Sequence, residues 1–279
     1  MDVQSAINAG LFVEYVYENW NSQSPQTNLN GKAVLTAQQK PIIAGKGYTV
    51  VKTIYANDLA TVINPLQAQN GFVTMGIVAQ NDADPTDVFI AIRGTEGVWE
   101  WLQDAKFLSR PFSNVVGSGL TEDGFTDMYQ SFSFTLARSN TFMADLKAAI
   151  DPKAKVTISG HSLGSSLATL LALDMAVNTS LPVRLYTLAS PRVGDLTFHN
   201  LFNHVVPDAF RIENRMDIVP KTPPPLFYFH VGDETELIPP PNLKFDLGCE
   251  HSILSYFNML AALIGQQANY PIDAKCVQA

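Results

Sequence analysis

Apolar residues recur in two rhythms along this chain of 279 residues. Over residues 2–20, Val3, Ile7, Leu11 and Phe12 return at three- and four-residue spacings, which predicts a helix with one apolar face. Three extended candidates follow: YTVVKTIYA (48–56), FVTMGIVAQ (72–80) and DVFIAIRG (87–94), separated by Gly, Pro, Asn and Asp clusters that favour turns. Residues 125–150 are helix-compatible, with Phe132, Leu136, Phe142, Leu146 and Ile150 roughly in phase, until Asp151-Pro152 stops them. A strand (155–159), a helix (162–177) and the strand VRLYTLAS (183–190) come next. Two strands joined through a helix pair in parallel by a right-handed crossover. Residues 208–213 and 226–231 read as further strands, and 251–264 as a final helix. Helices alternating with mostly buried strands predict an α/β class, a sheet covered by helices. No repeat, low-complexity tract or charge run divides the chain, so one domain over 1–279 is expected. The Pro-Pro-Pro tracts at 223–225 and 239–241 read as rigid connectors.

Composition narrows the picture. The chain is 46% apolar and only 16% charged, with enough length to bury a substantial core. A net charge of −8 argues against a nucleic-acid partner, which needs clustered Lys and Arg, and leaves no polybasic handle for anionic membranes. The first twenty residues have no basic segment, and Glu14 interrupts their apolar part, so they fit an amphipathic helix and not a signal peptide. Residues 253–265 are too short, and too broken by Ser255 and Asn258, to span a bilayer. The expectation is a soluble protein, either cytoplasmic or a secreted mature chain. Cys249 and Cys276 are too few for a disulfide framework or a zinc cluster; pairing and two buried thiols both remain open. Asn81, Asp82, Asp84 and Asp87 lack the spacing of a calcium loop and read as an exposed turn, so no metal is expected.

Candidate chemistry centres on GHSLG (160–164), placed between a strand and a helix. In that setting a strained turn lifts the Ser162 side chain above the sheet as a nucleophile. The competing reading makes Ser162 a helix cap, although a cap has no need of both flanking glycines. A serine hydroxyl needs a base, usually a His held by a carboxylate, in the chain order Ser, acid, His. Downstream lie His199, His204, His230 and His251. His251 is best placed, on a loop at the start of the last helix, because catalytic side chains in such folds sit on loops beyond strand ends. Asp217, just past the strand FRIEN, can reach such a loop and fix the imidazole tautomer; Asp195 and Asp208 compete but look like turn or capping residues.

Four ordered motifs, IAIRGT (90–95), GHSLG (160–164), NRMDIVP (214–220) and CEHSILSYF (249–257), resemble those of the class 3 lipases, the fungal-type triacylglycerol lipase family. YFHVGDE (228–234) is also similar to that group. The resemblance implies an α/β-hydrolase fold, a mostly parallel central sheet flanked by helices with a short helical lid. It implies Ser162 as nucleophile, Asp217 as acid and His251 as base, with backbone N–H groups of Thr95 and Leu163 forming the oxyanion hole. The lid falls on 96–107, where Trp101 and Asp104 keep the family's W-x-x-D relation. Trp99, Trp101 and Leu102 suit a lipid–water boundary, and the alternative is that these tryptophans pack on the core. The chain departs from the family at Glu122, where a His is common, and its first eighty or so residues match only weakly.

The expectation is therefore a serine hydrolase that cleaves acylglycerol esters at an oil–water interface through an acyl-enzyme, without metal or organic cofactor. Rivals on the same fold are a feruloyl or other aryl esterase and a phospholipase A1. A non-catalytic lipase-like module is the rival from another class, which an intact set of three positions disfavours.

Overall fold

A computed structural model describes residues 1–20, 26–32, 47–57, 71–95 and 107–278. Among them, ten strands occur: β1 (Gly31–Lys32), β2 (Tyr48–Asn57), β3 (Phe72–Asn81), β4 (Asp87–Ile92), β5 (Ser109–Pro111), β6 (Leu120–Glu122), β7 (Lys155–His161), β8 (Val183–Leu188), β9 (Ala209–Asn214) and β10 (Asp233–Leu237). Eight of them form one sheet in the order β1-β2-β3-β4-β7-β8-β9-β10, while β5 and β6 pair separately. The sheet is antiparallel from β1 to β4 and parallel from β4 through β7, β8 and β9 to β10. The helices are α1 (Val3–Asn19), α2 (Asp123–Gln130), α3 (Phe142–Ala149), α4 (Leu163–Asn178), α5 (Leu196–Val205), α6 (Leu247–Glu250) and α7 (Ile253–Ala262). This is the α/β-hydrolase arrangement.

Alternation along the strands explains why helices cover both faces. On β4, Val88, Ile90 and Ile92 join a core with Leu167 and Leu171 of α4 and Phe125 of α2. Ala91 and the partly buried Phe89 face the other way, into a second core with Phe12 and Leu11 of α1 and Phe257 of α7. A strand covered on both sides gains burial from every residue, roughly 1.5–3 kcal/mol for each large side chain. Every residue of α4 from Leu163 to Met175 is buried, which is why this segment is apolar all round. None of the described helices is long and apolar enough to cross a membrane.

Two expectations need correction. Residues 125–150 are not one helix: α2 ends at Gln130 and α3 begins at Phe142. Between them Ser133 exchanges backbone hydrogen bonds with Tyr55 of β2 (2.8 and 3.0 Å), and the Ser131 hydroxyl accepts from Asn57 N–H (2.8 Å). These bonds take the backbone groups that a continuous helix would have used. The other miss is 226–231, which pairs only through an isolated bridge between Phe229 and Gly194. The last strand is instead the polar DETEL of β10, an edge strand held by Arg211 to Glu234 and Arg215 to Glu236 (2.6 Å for the latter). Cys249 and Cys276 form a disulfide, which settles the open pairing question. Between β3 and β4, Asn81 Oδ1 accepts from Ala83 and Asp84 N–H at 2.9 and 3.0 Å, an Asx turn.

Candidate active site

The parallel strands end together, and the predicted site residues follow those ends. Ile92 of β4 lies beside Gly160 of β7, so Thr95 and Ser162 leave neighbouring strands at the same edge. Ser162 has φ +58° and ψ −132°, a strained conformation for a residue with a Cβ. The turn is tight: a Cβ on Gly160 would run into the Gly164 carbonyl, and one on Gly164 into the carbonyls of Ile92 and Arg93. The Ser162 side chain makes no capping bond to α4, and its buried Oγ has no hydrogen-bond partner among the described residues. Nothing in the geometry therefore supports the capping role. Leu163 opens α4, and Thr95 is buried just beyond the end of β4.

Asp217 lies in the turn after β9, which β8 and β10 hold in parallel register. Its carboxylate accepts three hydrogen bonds: Oδ1 from Val219 N–H (2.9 Å), and Oδ2 from both His251 Nδ1 (2.7 Å) and the Tyr256 hydroxyl (2.9 Å). An acceptor-only carboxylate requires the proton on His251 Nδ1, which leaves Nε2 with the lone pair. That Nε2 atom is buried and without a partner, as is Ser162 Oγ. The His251 ring sits 4.7 Å from the ring of His161, the residue before Ser162. Asn214 completes the support, donating Nδ2 to the Glu250 carbonyl (2.8 Å) and its backbone N–H to Tyr256 Oη (2.9 Å). Burial, and then the Asp217 charge, push the Tyr256 phenol well above its ordinary pKa, so it stays a donor.

The competitors lie elsewhere. Asp195 caps α5 through Phe198 N–H (2.9 Å), and Asp208 pairs with Arg184 on the surface at 3.2 Å. His199 and His204 belong to α5. His230 is held neutral, its pKa lowered to about 3 by burial and then by Arg211 and Arg192. Glu122 caps α2 through Phe125 N–H (2.7 Å), with its carboxyl pushed up by burial. Among the described residues, Glu213, Glu234 and Glu236 come close enough to hold an ion. Arg211 bonds to the first two and Arg215 to the third, so each carboxylate already has a guanidinium partner. Trp99, Trp101, Leu102 and Asp104, the predicted lid residues, lie outside the described residues. Phe107, next to them, gives its carbonyl to the Tyr228 hydroxyl at 2.8 Å.

Residues 89–227 match the family model "Lipase (class 3)". The chain belongs to the class 3 lipases. It is 35% identical over 182 residues to "Phospholipase A1-II 3" of Oryza sativa subsp. indica, a match that covers 56% of this chain and 43% of that one. It is 34% identical over 166 residues to "Lipase" of Rhizomucor miehei, covering 58% of this chain and 44% of that protein. The chain thus spans less than half the length of these curated relatives. Among solved structures, one describing an unusual buried polar cluster in a family of fungal lipases aligns with a TM-score of 0.65 and 25% identity, over 86% of this chain and 82% of that one. The matched segment of this class 3 lipase includes Ser162 and Asp217 but stops before His251.

Three residues were not singled out from sequence: Tyr256, His161, and Tyr17 of α1, whose hydroxyl lies 3.0 Å from His161 Nδ1. Tyr256 stood inside the quoted motif CEHSILSYF, five positions after His251, without a role. His161 stood beside the serine, and Tyr17 in the weakly matching N-terminal segment.

Proposed function

We propose that this class 3 lipase hydrolyses acylglycerol-type lipid esters through a Ser162–His251–Asp217 triad. The observation that carries the proposal is the Asp217–His251 hydrogen bond (2.7 Å), which directs the Nε2 lone pair away from the carboxylate while the hydroxyl of a strained elbow serine is also left unbonded. Ser162 Oγ attacks the ester carbonyl as His251 Nε2 takes its proton. Backbone N–H groups of Thr95 and Leu163 hold the oxyanion. His251 then protonates the leaving alcohol, and water releases the fatty acid from the acyl-serine. The segment 96–107 is proposed as the lid over the acyl groove, with substrate met at an oil–water interface.

A phospholipase A1 reading is favoured by the similarity to the rice protein of that name. The test compares wild type and Ser162→Ala on a short soluble ester, emulsified triacylglycerol, phospholipid vesicles and methyl ferulate. Wild type is expected to act on the short ester and on triacylglycerol, and Ser162→Ala on neither. A Ser162→Ala protein as active as wild type would sink the triad. Preference for phospholipid, or for methyl ferulate, over the emulsion would move the assignment to phospholipase A1 or aryl esterase, with the triad intact.

A further inference from the structure

Helix α1 ends at the catalytic edge of the sheet, and its last turn is wired into it. The Tyr17 hydroxyl accepts from Gly94 N–H at 2.7 Å, one residue before Thr95. The same hydroxyl lies 3.0 Å from His161 Nδ1, and His161 Nε2 lies 2.9 Å from the backbone carbonyl oxygen of His251. The directions follow from chemistry. A carbonyl only accepts, so His161 Nε2 carries the ring proton, and Nδ1 of the neutral ring accepts from Tyr17 Oη–H. Burial, and then the neighbouring His251, hold the His161 imidazole well below its ordinary pKa, so it stays neutral.

We propose that Tyr17 and His161 are positioning residues: the chain Gly94 N–H to Tyr17 Oη–H to His161 to His251 C=O locks the oxyanion-side strand end and the backbone of the base into one frame. The inference rests on the triad reading above. The side chain of His251 is fixed through Asp217, but its backbone lies between two short helical pieces, α6 and α7. A bond to its carbonyl removes the remaining freedom to drift, and a drift of about 1 Å can cost on the order of 10²-fold in rate. The helix does not depend on this contact for docking, because Ile7, Phe12, Val13 and Val16 of α1 are buried against the sheet and α7. Loss of the Tyr17 hydroxyl should therefore appear in turnover and leave folding intact.

The test measures kcat, KM and Tm for wild type, Tyr17→Phe, His161→Leu, His161→Gln and Ser162→Ala on a soluble short-chain nitrophenyl ester. Tyr17→Phe is expected to lower kcat about tenfold, with KM unchanged and a Tm loss of only a few degrees, the cost of leaving the buried Gly94 N–H without its acceptor. His161→Leu should lower kcat further, by roughly a hundredfold. His161→Gln should recover most of that loss, because its amide N–H can still reach the His251 carbonyl. The proposal is overturned if Tyr17→Phe keeps wild-type kcat while Ser162→Ala is inactive. It is equally overturned if the kcat loss comes with a Tm loss of many degrees, or if Gln is no better than a folded Leu variant. An active Ser162→Ala protein would instead overturn the triad on which the inference stands.

Discussion

The Tyr256 hydroxyl and His251 Nδ1 meet on one atom, Asp217 Oδ2, at 2.9 and 2.7 Å. The same phenol oxygen takes the backbone N–H of Asn214, so the turn that carries Asp217 and the helix that follows His251 are joined at one point. Tyr256→Phe is expected to cost about 1–3 kcal/mol of stability, since a buried N–H of Asn214 loses its partner. It should also lower kcat, about tenfold, as the carboxylate gains freedom. Chemical denaturation and steady-state kinetics on a soluble ester check the two effects, and an unchanged Tm would show that the Asn214 N–H finds another acceptor.

Ser162 offers a separation of stability from activity. Its side chain gives α4 no cap and leaves a buried hydroxyl unbonded, so Ser162→Ala should abolish ester hydrolysis with no loss of Tm. Ser162→Gly should raise stability, by about 1 kcal/mol, because glycine accepts the positive φ without strain. A clear destabilisation of the alanine variant would mean that the hydroxyl does act in the folded state.

The disulfide joins the residue two before His251 to Cys276, 27 positions along the chain. Lys244 N–H also bonds the Cys276 carbonyl at 2.9 Å, so the tail is pinned beside the loop that carries His251. A double Cys249→Ser, Cys276→Ser variant is expected to lose about 3–4 kcal/mol on the chain-entropy model. Its specific activity should fall more steeply with temperature than that of wild type. Thermal denaturation with and without a reductant, read beside ester hydrolysis, gives the comparison.

Acid should weaken the fold before it touches the carboxylates. His161 and His230 are held neutral by burial, the second at a pKa of about 3. Below an unfolded pKa of about 6.5 the unfolded chain binds protons that these side chains refuse, so stability falls as pH falls. His230 contributes a slope of about 1.4 kcal/mol per pH unit between roughly pH 6 and pH 4, and His161 acts in the same direction. Denaturant midpoints across that range should decline, and His230→Gln should remove one share of the slope. A flat profile would show that other titrations offset both.

Much of the candidate site was legible because each proposed triad position needs a local pattern. The elbow requires small residues on both sides of Ser162, and β4, β7, β8 and β9 announce themselves as apolar or alternating stretches of strand length. The supports were not legible for the opposite reason. Tyr17 lies 144 positions from His161 and bonds it through a single atom, a contact with no period or spacing. The strand β10 was hidden because it is a polar edge strand, paired to β9 through its backbone and carrying ion pairs to Arg211 and Arg215, so an apolar stretch a few residues earlier drew the expectation instead. The break between α2 and α3 is likewise invisible in the chain itself, since its cause is the edge of β2.

The reach of α1 to Gly94 and His161 bears on how members of such a family can be recombined. A graft of 89–227 into another scaffold would transfer the proposed nucleophile and acid together. It would leave behind the residues that face them from residues 3–19 and 247–262. A chimera drawn at the borders of greatest similarity would inherit the chemistry and lose its alignment, whereas one that also exchanges the amino-terminal helix keeps donor, ring and base from a single parent.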